Sequence, residues 1–152
     1  MLDHIDLRVR DLSEARPLYD AIMPLLGFRH PVEDESDGCI CYDSCTGPME
    51  SHLPFVALIE DKTHHPSATR IAFYAPGRTA VDEIAAMAER HGALSFEAAH
   101  FCQEYSPRYY ACFFEDASGN KLEVCCRHVS DDAEQDEQRS IVRMPKFATK
   151  TE

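Results

Sequence analysis

The sequence predicts an α+β fold made of two βαβββ modules in tandem, with two curved sheets facing each other and the helices outside. Three observations predict it. A strand-like segment leading into a helical period begins at His4 and recurs 66 positions later at Arg70. The glycines that stop those helices, Gly27 and Gly92, repeat at nearly the same offset. The closing strands also share it, with Val56-Ala57-Leu58 matching Leu122-Glu123-Val124. Separate anchors with one offset indicate an internal duplication.

The elements follow in order. Leu2 to Val9 alternates strictly, with Ile5, Leu7 and Val9 on one face and His4, Asp6 and Arg8 on the other. That is a strand with one apolar face and one polar face. Ser13 is the expected N-cap of a helix through Ala15, Leu18, Ile22, Leu25 and Leu26, and Gly27 ends it. Pro17 is expected at the helix start, and Pro24 should break the last turn. Strands are predicted over Phe28–Val32, Cys39–Asp43 and Leu53–Ile59. In the second module, Arg70 to Ala75 forms the first strand, and Thr79 caps a helix through Val81, Ile84, Ala85, Ala88 and His91. Strands over Leu94–Phe101, Tyr109–Glu115 and Lys121–Arg127 follow. Asp116-Ala117-Ser118-Gly119-Asn120 turns the last two into a hairpin.

These boundaries put one domain over 1–127, with module one at 1–61 and module two at 69–127. An acidic, mixed C-terminal tail follows over 128–152. The formal net charge is -12, and removing the last 22 residues still leaves -10, so the body itself is acidic. That argues against nucleic acid and anionic membranes as partners. No apolar run approaches the ~20 residues of a membrane span, and Met1 to Arg10 is too polar for a signal peptide. The expected location is the cytoplasm, with the seven cysteines as reduced thiols.

If Ile5, Leu7, Ile71 and Phe73 pack under the helices, alternation forces their neighbours onto the concave face. That face then carries His4, Asp6, Arg8, Arg70, Ala72 and Tyr74 from the two opening strands. Phe55, Ala57 and Ile59, with Lys121, Glu123 and Cys125, come from the closing strands.

His4 opening an alternating strand, Leu26-Gly27-Phe28, and the closing Asp116-x-x-Gly119-Asn120-x-Leu122-Glu123 together resemble the vicinal oxygen chelate superfamily. That group includes glyoxalase I, extradiol dioxygenases and bleomycin-resistance proteins. The resemblance covers about 1–127. Tyr105 to Phe113 also resembles the strand before the last hairpin of glyoxalase-like members. The resemblance implies a small-molecule ligand or substrate, a homodimer, and one divalent metal (Zn, Ni, Mn or Fe) held between the modules. His4 and Glu123 match metal-ligand positions. Arg70 stands where the family has a His, and Ala57 where it has a Glu.

A catalytic metal usually keeps about three protein ligands, and guanidinium has no lone pair to offer. Two arrangements stay open. Arg70 can pair with Glu123 and fill the vacated charge position, leaving a metal-free pocket for an anionic or carbonyl-bearing ligand. Alternatively, Arg70 turns to solvent while His4 and Glu123 hold a metal. The first implies a binding protein with His4, Arg70, Tyr74, Tyr105, Tyr109 and Glu123 as ligand contacts. The second implies a metal-dependent lyase or dioxygenase. A third reading is an interaction module that uses the acidic tail.

His100 and Glu104 are candidates for replacement ligands, whereas Glu60 has the wrong strand parity. Tyr110 joins the tyrosines that could line the pocket. Cys39-Ile40-Cys41 with Cys45, or His64-His65, could suggest zinc, but the spacing matches no zinc knuckle. Cys39 and Cys41 read instead as small buried thiols on one strand face. Cys125 could reach the pocket as a nucleophile, and Cys112 reads as core. His64-His65-Pro66-Ser67 reads as an exposed linker.

Overall fold

A computed structural model describes residues 3–29, 38–44 and 54–127. The element order is β1 (His4–Val9), α1 (Leu12–Ile22), a 3₁₀ turn (Pro24–Leu26), β2 (Cys39–Asp43), β3 (Phe55–Glu60), β4 (Arg70–Tyr74), α2 (Arg78–Arg90), β5 (Leu94–Phe101), β6 (Tyr110–Glu115) and β7 (Lys121–Cys126). The strands form a three-stranded sheet ordered β1-β3-β2 and a four-stranded sheet ordered β4-β7-β6-β5.

The internal repeat appears in the pairing register. β1 runs parallel to β3 with His4 opposite Phe55, and β4 runs parallel to β7 with Arg70 opposite Lys121. Each partner is displaced by 66. The buried helix positions keep the same offset: Ala15, Leu18, Tyr19 and Ile22 in α1 correspond to Val81, Ile84, Ala85 and Ala88 in α2. Each helix thus turns one apolar stripe inward. Both stripes join Leu7, Val9, Val56, Leu58, Phe73, Leu122 and Val124 in one core, where each buried aliphatic contributes roughly 1.5–3 kcal/mol. The fourth strand of the first module reduces, among the described residues, to a bridge between Phe28 and Ser44. The expected strand over Phe28–Val32 otherwise lies outside the described residues, as do Cys45 and the tail.

Several local expectations are corrected. Asp11, not Ser13, caps α1: its carboxylate accepts from the backbone N–H of Ser13 and Glu14. Gly77, not Thr79, caps α2. Pro17 sits inside α1 rather than at its start. Pro24 does end the α-helix, and the chain tightens into the 3₁₀ turn closed by Gly27 at φ 84. Leu25 consequently leaves the helix stripe and is 42% exposed, and His91 is exposed as well. His64 is half-buried rather than exposed.

One buried carboxylate joins the halves. Asp116, in the β6–β7 turn, is fully buried. It accepts from the backbone N–H groups of Ser118 and Asn120, from Asn120 Nδ2, and from the Tyr19 hydroxyl of α1 at 2.8 Å. The same turn reaches β1 and the residue after it. Asn120 Nδ2 donates to the Arg8 carbonyl, and Ser118 Oγ accepts from the Arg10 backbone N–H. Gly119, at φ 82, brings the turn against the linker, where an added Cβ would stand 2.9 Å from Pro66 Cβ.

Tyr19→Phe leaves Asp116 short of one donor and should lower unfolding stability by about 1–3 kcal/mol in urea titration. Gly119→Ala should cost more than Gly92→Ala. Both glycines have positive φ, but Gly92 has open space around it, so only the left-handed strain of about 1–2 kcal/mol applies there.

Candidate functional site

The register fixes what each concave face presents. On the second sheet, Ala72, Glu123 and Phe113 lie in one row across β4, β7 and β6. Arg70 enters β4 one residue pair before Ala72, on the same face. Glu123 is 5% exposed, so its carboxylate requires partners. Two are present. The Tyr109 hydroxyl donates to Oε1, and the Arg70 guanidinium stands 3.8 Å from Oε2, a charge contact rather than a hydrogen bond. The guanidinium also lies over the Phe113 ring, 4.7 Å from its centroid, which holds the cation above an apolar floor. Arg70 is thus in charge contact with Glu123 while part of its side chain stays exposed.

Tyr109 anchors the rim. Its ring meets Tyr105 edge-on at 5.2 Å, and Arg127 covers it at 5.1 Å. With Cys102, Ala111, Phe113 and Cys125 it forms a small apolar cluster separate from the main core. Burial pushes the Tyr109 phenol well up, with its hydrogen bonds to Cys125 and Glu123 adding to the effect. The hydroxyl therefore stays protonated and remains a donor.

His100 reaches this face through irregular pairing that no alternation rule reveals. The register of β5 shifts twice, between Leu94 and Glu97 and again between Glu97 and His100. The shifts bring both residues opposite same-face partners, Phe113 and Ala111. His100 Nδ1 donates to the Ala98 carbonyl at 2.9 Å, leaving Nε2 3.6 Å from Cys102 Sγ and 3.3 Å from Glu97 Oε1. Burial, then Glu104, raises the Cys102 thiol, so it keeps its proton and donates to the His100 carbonyl at 3.8 Å. Burial likewise raises Cys125, and pushes the core thiol Cys112 up to about 12. None of these three is an activated nucleophile.

The other predicted residues lie elsewhere. His4 and Tyr74 line a cavity of about 300 Å³ with Asp3, Leu26, Phe28 and Phe55. His4 stacks on Phe55, with ring centroids 4.8 Å apart, and bonds Asp3 through Nδ1 at 2.9 Å, which raises its pKa. Glu60 serves the start of α1 by accepting from the Leu12 N–H at 3.4 Å, in keeping with its parity. Tyr110 bonds Asp82 on α2 and packs edge-on against Phe101, away from the concave face. Cys39 and Cys41 overturn the expectation of burial. Ile40 and Tyr42 take the helix side, and the two thiols stand half-buried and exposed on the opposite face.

These donors do not make a chelate. The His4 ring, with Nδ1 on a carboxylate, is oriented as ligating imidazoles often are. Glu123, however, spends one oxygen on Tyr109 and faces a permanent cation with the other. Among the described residues no three His, Cys, Asp or Glu side chains converge on one point.

Solved structures share this architecture. A glyoxalase/bleomycin resistance protein from Albidiferax ferrireducens T118 aligns with a TM-score of 0.66 at 20% identity, over 84% of this chain and 99% of that one. The fold is glyoxalase-like. A glyoxylase/bleomycin resistance protein/dioxygenase domain from Frankia sp. EAN1pec aligns with a TM-score of 0.60 at 19% identity, over 84% and 98% of the chains. A fosfomycin resistance protein from Mesorhizobium loti aligns with a TM-score of 0.57 at 15% identity, over 89% and 96%. No protein-family model and no curated protein matches the chain. No helix among the described residues of this glyoxalase-like chain is long and apolar enough to cross a membrane.

Burial raises four tyrosines above the ordinary phenol: Tyr110 to about 12, with Tyr19, Tyr42 and Tyr109 also held high. The unfolded chain ionises them near about 10. Their contribution to stability is thus complete below that pH and is lost as pH rises toward the folded values. Phenolate absorbance from these four should appear together with loss of circular dichroism in an alkaline titration, not before it.

Proposed function

We propose that the chain is a cytoplasmic, homodimeric binding protein for a small organic molecule with an anionic or carbonyl group. The ligand is held on the concave face of the second sheet without a catalytic metal. The observation that carries this reading is the Arg70–Glu123–Tyr109 cluster, in which a guanidinium fills the charge position that the resemblance gives to a metal. Arg70 keeps 41% of its side chain exposed, so it can meet a ligand while Glu123 remains covered. Tyr105, 56% exposed, offers aromatic surface beside it over the buried Phe113 and Tyr109, in keeping with the usual composition of a small-molecule site. A closed pocket needs a second wall, which a second copy of the chain would supply. Two neighbours bear bleomycin-resistance names. The acidic body would favour a basic drug, whereas Arg70 favours an acceptor group at the point of contact.

The competing reading is a divalent-metal lyase or dioxygenase, and the Asp3-oriented His4 favours it. One experiment separates the two. Untagged protein is screened by thermal shift against aryl carboxylates and α-diketones, with and without chelator. Stabilisation that survives chelator and disappears in Arg70→Ala supports binding without metal. About one divalent ion per chain, lost in both His4→Ala and Glu123→Ala, with chelator-sensitive turnover, would overturn it.

A further inference from the structure

We propose that Cys39 and Cys41 form a two-thiol clip on the concave face of the first sheet that binds a soft, thiophilic divalent cation of the zinc–cadmium class. Strand alternation places residues i and i+2 on one face, about 6.6 Å apart along the backbone. Here the two sulfurs lean together to 3.6 Å. Two metal–sulfur bonds of ~2.3 Å at a tetrahedral angle span about 3.8 Å, so the pair is already near that bite. A disulfide would require closure to about 2.05 Å.

The surroundings favour a cation. In the register, Cys41 lies opposite Ala57, which lies opposite Asp6, so a carboxylate and a thiol flank a methyl group in one row. Asp43, two residues beyond Cys41 on the same face, is a second carboxylate. Burial and the neighbouring Cys39, with both carboxylates adding, raise the Cys41 thiol, so a bound cation takes the place of its proton. Thiolate sulfur selects soft ions over magnesium or calcium, and water completes the coordination of a site with two protein ligands. The clip lies on a different sheet from the Arg70–Glu123 cluster and is independent of the function proposed for that cluster.

The test is a titration of reduced, metal-stripped full-length protein with cadmium chloride against a weak competing chelator, read by the ultraviolet thiolate-to-cadmium charge-transfer band. The expected result is one ion per chain, with the band lost in Cys39→Ser and in Cys41→Ser. The band should be kept in Cys125→Ser, His4→Ala and Glu123→Ala. No band in the wild-type chain, or a band that persists when both thiols are replaced, would overturn the proposal. Should a serine variant fail to fold, alkylation of the wild-type chain decides the matter. Cadmium should protect Cys39 and Cys41 from iodoacetamide in peptide mass spectra, and unchanged labelling of both would refute the clip.

Discussion

The arrangement of the two halves depends on a single buried carboxylate. A charge without access to water is tolerated only when its lone pairs are satisfied. Asp116 meets that condition by drawing its donors from both halves: its own turn supplies backbone and amide N–H groups, and α1 supplies the Tyr19 hydroxyl. Asn120, bonded to Asp116, uses the same amide nitrogen to hold the Arg8 carbonyl of β1. The hairpin that carries Glu123 is therefore fixed to the strand that carries His4. This satisfied polar joint, set beside the shared apolar core, specifies one relative position of the halves where hydrophobic contact alone would allow several.

On that frame the repeat preserves register while exchanging chemistry. Asp6, Ala57 and Cys41 form the central row of the first sheet, and Ala72, Glu123 and Phe113 form the corresponding row of the second. Each row holds one carboxylate and one alanine in opposite places. The first row has a thiol where the second has a phenyl ring. A shared backbone thus presents a sulfur-bearing face on one side and an aromatic, cation-bearing face on the other.

Much of the frame was legible in the sequence because strand periodicity is a strict rule. The boundaries of β2 and β5 agree with the pattern of their residues, and the 66-residue offset reappears in both pairing registers and both helix stripes. Caps were less legible, because Asp11 and Ser13 are chemically equivalent candidates two residues apart. The faces of β2 were read wrongly for a related reason. Cysteine, isoleucine and tyrosine all count as apolar, and only packing volume decides that Ile40 and Tyr42 go inward. Within the site, the repeat matched Arg70 to His4 and Glu123 to Ala57, and the family resemblance made those positions a site. The Tyr109 hydroxyl on Glu123 and the entry of His100 were not legible in that way, since both depend on long-range proximity and on bulges in β5.

Arg70 has one more consequence. A metal ion at such a position is borrowed: it exchanges, competes with other ions, and can be withdrawn by dialysis or starvation. A guanidinium is covalently tethered and stays charged throughout the physiological pH range. The positive charge that Arg70 brings beside Glu123 is thus installed at translation, as part of the chain itself.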